Sequence, residues 1–162
     1  MLRISRLTDY ATVILATLAE DPGHLSTAAA LAERTHVAAP TVSKLLKQLQ
    51  HAGLVSSARG LHGGYQLARP ATEISAASIL DALEGPLAIT DCSVGHGQCD
   101  IEQSCRVSRA WQRLNLAIHR SLTEVTLAQL AGLDPAQSRL PVVEREIKFT
   151  GRGGLAAKAT GH

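Results

Sequence analysis

The segment from residue 39 to residue 68 limits the fold most, because a helical pattern runs directly into a hairpin pattern there. In AAPTVSKLLKQLQHAG, Pro40 suits the first helical turn and Gly53 suits the end of the helix. The apolar positions fall on one helix face: Val42, Leu45, Leu46 and Leu49. In LVSSARGLHGGYQLA, residues 54–55 and 65–67 read as short strands around a glycine-rich turn. The segment therefore predicts a helix followed closely by a β-hairpin.

Two further helices are predicted before this segment. LTDYATVILATLAE has helical apolar spacing, with Thr8 or Asp9 as its N-cap, and LSTAAALAERTHV starts at Ser26 or Thr27. The first 68 residues thus predict helix, helix, helix, hairpin, in a chain that is mainly α. That is the order of a winged helix-turn-helix, whose third helix enters the DNA major groove and whose wing reaches the backbone or minor groove.

The outward side chains of the third helix and of the wing are candidates for DNA contact. Lysine and arginine can neutralise phosphates, and hydroxyl and amide groups can reach base edges. The predicted DNA-binding residues are Thr41, Ser43, Lys44, Lys47, Gln48, Arg59 and His62. Residues 1–70 carry seven Lys/Arg against four Asp/Glu, a small excess that many solvated surfaces also have. The order of elements, rather than the charge, favours DNA binding over a merely solvated face.

A longer periodic stretch, RVSRAWQRLNLAIHRSLTEVTLAQLAG, predicts a helix of about 20 residues. Its apolar residues recur at steps of three and four: Val107, Trp111, Leu114, Ile118, Leu122 and Val125. A winged domain has its own core, so this seam predicts a homodimer, with packing inside one chain as the alternative. ISAASILDALEGPL predicts another helix before it. The predicted organisation is a winged helix-turn-helix domain over 1–70, a cluster-binding loop and dimerisation helix over 71–130, and a flexible tail over 131–162.

All three cysteines lie in CSVGHGQCDIEQSC, residues 92–105. An odd number of clustered thiols favours metal or redox chemistry in a reducing compartment, and no apolar run approaches the ~18 residues of a membrane span. The chain is therefore predicted to be cytoplasmic. The gaps are wider than those typical of zinc sites, and thiolates are preferred ligands of iron–sulfur clusters. Zinc, or thiols without metal, remain alternatives, and the candidates for a fourth ligand are His96, Ser108, Asp9 and Glu102.

The sequence resembles the IscR/NsrR-type bacterial transcription regulators, the Rrf2 family, over about residues 1–130. The matching pieces are RLTDYATVIL, VSKLLKQLQHAGLVSSARGLHGGYQLARP, ILDALEGPLAI and the three-cysteine loop followed by Trp111. Within the family it is most similar to regulators of the SUF system for iron–sulfur assembly. The resemblance implies a homodimer that binds a palindromic double-stranded DNA operator and holds a 2Fe-2S or 4Fe-4S cluster near the dimer helix.

The resemblance also implies a set of metal ligands. Cys92, Cys99 and Cys105 match the three family cysteines, although the first gap is one residue longer than the usual five. In the assembly-regulator branch the fourth ligand is a His three residues after the last Cys, where this chain has Ser108. In the nitric-oxide-sensing branch it is an Asp near the N-terminus of the partner subunit, which Asp9 matches. The predicted ligand set is therefore the three cysteines and Asp9.

The predicted function is a cluster-sensing repressor of SUF genes. Alternatives within the regulators are a nitric-oxide- or redox-sensing repressor of the same family and a thiol or zinc switch without a cluster. An alternative of another class is an iron–sulfur carrier that contacts protein, although a carrier has no use for the wing. No enzyme is expected, because no His–acid pair accompanies a cysteine and RGLHGG is not a phosphate-binding loop.

Overall fold

The computed structural model describes residues 4–94 and 104–134. Within these ranges the chain is mainly helical, with one two-stranded antiparallel sheet. The α-helices are α1 (Arg6–Ala19), α2 (Ala28–Thr35), α3 (Ala39–His51), α4 (Ala76–Glu84), α5 (Asp91–Val94), α6 (Ser108–Glu124) and α7 (Leu127–Leu130). The strands are β1 (Val55–Ala58) and β2 (Gly64–Leu67), and a 3-10 helix covers Ala71–Glu73. The predicted order of three helices and a hairpin is confirmed.

The first two helices begin at hydroxyl caps. Ser5 caps α1, where its Oγ accepts the backbone N–H of Thr8 at 3.2 Å. The predicted caps Thr8 and Asp9 are wrong, because both residues already lie within the first turn. Thr27 caps α2 as predicted, and its Oγ1 accepts the backbone N–H of Ala30 at 3.1 Å. A hydroxyl at the cap satisfies one of the N–H groups that a helix start leaves without a partner.

Helix α3 follows its sequence pattern closely. Pro40 lies in the first turn, and the helix ends before Gly53, whose φ of +70° is a conformation that favours glycine. The four predicted core positions are all fully buried: Val42, Leu45, Leu46 and Leu49. Their burial fixes which face of α3 is left for contact with other molecules.

The wing is anchored at its base by a third short stretch of chain. β1 pairs with β2 in antiparallel register, with Val55 opposite Leu67. Ser26 bridges the other side of β2, since its N–H donates to the Tyr65 carbonyl at 2.9 Å and its carbonyl accepts the Tyr65 N–H at 2.8 Å. Such a close approach requires glycine at the neighbouring position, because a Cβ on Gly64 would lie 2.9 Å from the carbonyl carbon and oxygen of Ser26.

The hydrophobic core extends beyond residue 70. Ile74 and Leu127 are fully buried and Ile79 is 2% exposed, and all three pack with the buried residues of α1 and α3. Leu127 belongs to α7, a separate short helix that begins with a capping box between Thr126 and Gln129. The functional division at residue 70 stays a prediction, but the core crosses it.

The chain leaves this core and returns to it at one point. Ser75 and Thr126 form an antiparallel bridge, in which the Ala76 N–H donates to the Val125 carbonyl at 2.8 Å and the Leu127 N–H donates to the Ile74 carbonyl at 2.7 Å. Helices α4, α5 and α6 lie between the two sides of this bridge. These three helices therefore belong to one segment whose two ends meet at the bridge.

Helix α6 is shorter than predicted, with 17 residues. Val125, the last residue of the predicted seam, is not on the helix, because it has extended backbone (φ −87°, ψ 121°) and its carbonyl pairs with Ala76. The helix packs on α4 and α5, and His119 Nε2 lies 3.8 Å from Asp81 Oδ2 of α4. Among the described helices none has the length and apolarity needed to span a membrane. Of the predicted tail, residues 135–162 lie outside the described ranges.

Candidate nucleic-acid interface and cysteine loop

The outer face of α3 carries the five predicted contact residues of this helix in two adjoining rows. Thr41, Lys44 and Gln48 form one row at helical spacing, and Ser43 and Lys47 form the other. The two lysines and Gln48 are exposed, whereas Thr41 and Ser43 are half-buried. The helix thus presents a polar ridge with two cations above a fully apolar buried face.

A polar recess of about 430 Å³ separates α3 from the wing. Lys47 lines it from α3 and Arg59 lines it from the wing, and none of the described residues that line it is a carboxylate. Gln50 Nε2 donates to Ser57 Oγ at 2.9 Å, so the last turn of α3 is tied to β1 beside the recess. Two cations without a competing acid suit a phosphate group. The recess brings together two predicted contact residues that are twelve positions apart in the sequence.

Gln50 is a site residue that the sequence pattern did not single out. It lies three positions after Lys47 and seven after Ser43, so it continues their row on the helix. That spacing is the one signal in the sequence that could have included it. Its bond to Ser57 depends on the hairpin, which a helical pattern alone does not place.

The wing tip is open to solvent. Arg59 and His62 are exposed, and Leu61 between them is 95% exposed. Gly60 has a φ of +114°, a backbone conformation that other residues rarely adopt, and this glycine makes the tight turn possible. The tip therefore presents one cation, one imidazole and one apolar side chain on a narrow loop.

The turn between α2 and α3 contains a strained residue. His36 ends α2 with φ 56° and ψ 23°, the left-handed conformation that usually takes glycine or asparagine. Its side chain is exposed, while the next residue, Val37, is buried at 8% exposure and belongs to the core cluster. This reversal sets the direction in which α3 leaves α2.

One face of α6 is apolar and exposed within the single chain. Val107, at the start of the helix, is 56% exposed, Leu114 is 45% exposed and Trp111 is 39% exposed. The next seam residues, Ile118 and Leu122, are half-buried. In a monomer a run of large apolar side chains on one helix face is open to water, which marks a surface for association.

The cysteine loop begins and ends beside α6. Cys92 lies on α5, which packs against α6, and Cys105 is a free, partly buried thiol three residues before α6 begins. Cys99 lies outside the described residues, as does His96. Ser108, one of the candidates for a fourth ligand, is the first residue of α6 and is buried at 4% exposure. A cysteine residue thus lies on each described flank of the loop, Cys92 on α5 and Cys105 just before α6, and thiolates are the preferred ligands of iron–sulfur clusters.

Asp9 lies elsewhere in the chain, exposed in the first turn of α1. Within the described ranges no three His, Cys, Asp or Glu side chains gather as a metal site. Next to Asp9, the N-terminus of α1 is fastened to the end of α4, since Glu84 accepts the Thr8 hydroxyl and the Ser5 N–H. These hydrogen bonds, first from the Thr8 side chain and then from the Ser5 backbone, lower the pKa of Glu84.

The comparisons with known proteins agree with this arrangement. The family model of Rrf2, described as an iron-dependent transcriptional regulator, matches residues 4–132. A protein of Haemophilus influenzae named as an HTH-type transcriptional regulator is 36% identical over 100 residues, which are 62% of this chain and 66% of that protein. The match thus spans slightly less than two thirds of that relative's length.

Two solved structures have similar folds. CymR, described as the global cysteine regulator of B. subtilis, is 28% identical with a TM-score of 0.64, over 83% of this chain and 99% of that one. IscR of T. potens is 30% identical with a TM-score of 0.60, over 84% of this chain and 91% of that one. The predicted fold class and the predicted resemblance are confirmed. The chain belongs to the Rrf2 family of transcriptional regulators and, as predicted, is not an enzyme.

Proposed function

We propose that this chain is a homodimeric repressor that binds a palindromic DNA operator through α3 and the wing, and that its three cysteines hold an iron–sulfur cluster. The single observation that carries the proposal is the position of the cysteine loop. Both of its flanks lie beside α6, the helix whose apolar face is open for a second copy. A change in the loop therefore acts directly on the surface that sets the dimer.

DNA binding is supported by the polar ridge of α3 and by the recess shared with the wing, where the described lining residues include two cations and no acid. Lys47 and Arg59 would contact phosphates, while Thr41, Ser43, Lys44, Gln48 and His62 would contact bases or backbone nearby. Lys47→Ala should weaken binding at all sequences alike and lower the slope of log affinity against log salt by about 1. Arg113→Ala on α6 is the matched control, because it also removes one exposed cation. Equal salt slopes for the two variants, measured by fluorescence anisotropy, would contradict the assignment.

The homodimer is supported by the exposed seam of α6. Two recognition helices would then reach half-sites about 34 Å apart, one turn of DNA, or a multiple of that spacing. Trp111→Asp places a charge in the seam at a position that is already 39% exposed, so the monomer should still fold. Sedimentation should give a dimer for the wild type and for Arg113→Ala, and a monomer for Trp111→Asp. A dimer in all three would place the interface elsewhere.

The cluster is supported by the chemistry of Cys92, Cys99 and Cys105 and by similarity to a family described as iron-dependent. Asp9 of the partner subunit would supply the fourth ligand. When bound, the cluster would supply sensitivity to oxygen, to nitric oxide or to the availability of iron. The residues of this chain would hold the loop in place. The test is an anaerobic visible spectrum with iron and sulfide counted per chain. Similar amounts of both are expected, with faster cluster loss in Asp9→Ala, and a chain that stays colourless after reconstitution would refute the cluster.

Control of SUF genes is the proposed biological output, and it rests on the sequence resemblance. It predicts higher transcription of iron–sulfur assembly genes in cells that lack the protein. Unchanged transcripts of these genes would leave a regulator with other targets, such as a nitric-oxide or redox response.

A second candidate is a thiol switch without a cluster. The observation that favours it is the similarity to CymR, a cysteine regulator that has also been solved in an oxidised form from Staphylococcus aureus. Ser108 in place of the family histidine also removes one ligand of the assembly regulators. A colourless protein whose DNA affinity changes on oxidation of Cys105 would favour this function.

A further inference from the structure

The segment that leads into the cysteine loop is held by one side chain of α6. Asn115 Nδ2 donates to the Leu87 carbonyl at 3.0 Å, and Asn115 Oδ1 accepts the Ile89 N–H at 3.2 Å. The two backbone groups belong to residues two apart, so the planar amide pairs with the chain as a neighbouring strand does. Within the described residues, these are the hydrogen bonds that Leu87 and Ile89 make outside their own segment.

The same segment continues directly into α5 and Cys92. Residues 85–90 have no helix or strand of their own, and α5 begins at Asp91. Thr90 stabilises the start of α5, where its carbonyl accepts the Ser93 N–H at 2.8 Å and its Oγ1 lies 2.8 Å from Ser93 Oγ. Only two residues therefore separate the Ile89 amide that Asn115 holds from the first cysteine.

The other flank of the loop is fixed to α6 by the chain itself. Cys105 precedes Ser108, the first residue of α6, by three positions. Asn115 lies seven residues further along the same helix, which is about 10 Å at 1.5 Å per residue. Both ends of residues 92–105 are thus held on one helix, one by covalent continuity and one by the Asn115 amide.

We propose that Asn115 is a positioning residue that couples the cysteine loop to the dimer helix. It does not ligate metal, but it keeps the entry to Cys92 at a fixed height along α6, so that the ligands of the loop stay close together. The inference rests on the proposed cluster function for its regulatory meaning. The anchoring itself rests only on the two hydrogen bonds.

The test uses two substitutions and one control in the full chain. Asn115→Ala removes both bonds. Asn115→Asp keeps the shape and an acceptor for the Ile89 N–H, but cannot donate to the Leu87 carbonyl, and it decides the question if the alanine variant fails to fold. Ser121→Ala is the control, because Ser121 is exposed on the same helix and, within the described residues, its hydroxyl donates to the Ala117 carbonyl of its own helix at 3.1 Å.

Two readouts separate positioning from general stability. Cluster release to a chelator, followed under argon by visible absorption, should be about 5- to 30-fold faster in both Asn115 variants and unchanged in the control. Hydrogen exchange of the apo chain should rise in peptides covering residues 86–94 in Asn115→Ala, while those covering α3 stay protected. Wild-type release rates in both Asn115 variants would overturn the inference.

Failure of the proposed function gives a different result. If the wild type takes up no iron and sulfide, the cluster proposal fails, and exchange in the apo chain decides the anchoring role of Asn115. Faster exchange over residues 86–94 then supports it, and unchanged exchange overturns it.

Discussion

The base of the wing offers a prediction whose size follows from the structure. In Gly64→Ala the new Cβ would sit 2.9 Å from the carbonyl carbon and oxygen of Ser26, closer than real Cβ contacts come. The φ of Gly64 is not left-handed, so the cost is steric rather than conformational. Because the obstacle is backbone, β2 must move away from Ser26 and lose the two hydrogen bonds of 2.8 and 2.9 Å that Tyr65 makes with it. At about 1 kcal/mol per bond, unfolding should become easier by about 2 kcal/mol.

The assay is urea unfolding monitored by circular dichroism, with hydrogen exchange at the amides of Ser26 and Tyr65. Gly23→Ala is the control, because a Cβ there meets no atom within 4 Å and its φ of +87° causes only local strain. Both variants should lose stability, but only Gly64→Ala should lose protection at the two bridging amides. A Gly64→Ala protein within about 0.5 kcal/mol of wild type, with both amides still protected, would refute the steric argument.

Three further predictions concern the core, acid stability and the helix turn. Leu127→Ala should lower the free energy of unfolding in urea by about 2–5 kcal/mol, because Leu127 is fully buried in the core that α7 shares with α1 and α3. Unfolding should remain a single transition, and two separate transitions would contradict the shared core. Hydrogen bonds from the Thr8 hydroxyl, first, and from the Ser5 N–H lower the pKa of Glu84 below its ordinary 4.5. The contribution of this carboxylate to folding stability is therefore present above pH 4.5 and is lost as the pH falls below it. Glu84→Gln should therefore be less stable than wild type at pH 7, by less than about 1 kcal/mol because solvent screens the site, and the gap should close in acid; a constant gap in thermal melts would count against it. His36→Gly should stabilise by about 0.5–1 kcal/mol by relieving the left-handed φ of 56°, and a loss of stability in the same melts would show that the imidazole has another role.

The sequence predicted those parts of the fold in which one local pattern decides the outcome. The four apolar positions of α3 all proved buried, and the glycine-rich stretch proved to be the wing. The end of α6 was not predictable in this way, because the apolar spacing continues through Val125. The helix ends where Val125 turns to extended backbone and its carbonyl accepts the Ala76 N–H, a partner about 50 residues away in the chain.

The residues of the candidate site also fall into two groups, those that the sequence indicates and those that only the tertiary contacts show. The thiols and cations could be named from the sequence, because few other residue types do their chemistry. Asn115 could not, and for Gln50 only the helical spacing was a signal, because a pattern does not distinguish an amide that bonds a partner from one that is solvated. The partner of Gln50 is Ser57 of the hairpin, and the partners of Asn115 lie in residues 87–89, a stretch without regular structure. Ligand types follow from composition, whereas the side chains that hold ligands in place follow from tertiary contacts.

The bridge between Ser75 and Thr126 has a consequence for how such a regulator can vary. Since both ends of the intervening chain are pinned at one point, residues can be gained or lost inside it without shifting α7 or the buried Leu127 in the core. Lengthening an already long loop adds little entropic cost, because that cost grows only with the logarithm of loop length. The six-residue gap between Cys92 and Cys99 lies inside this segment. A lineage can therefore alter the cysteine loop while the half of the protein that is proposed to bind DNA keeps its geometry, provided that the buried face of α4 is retained.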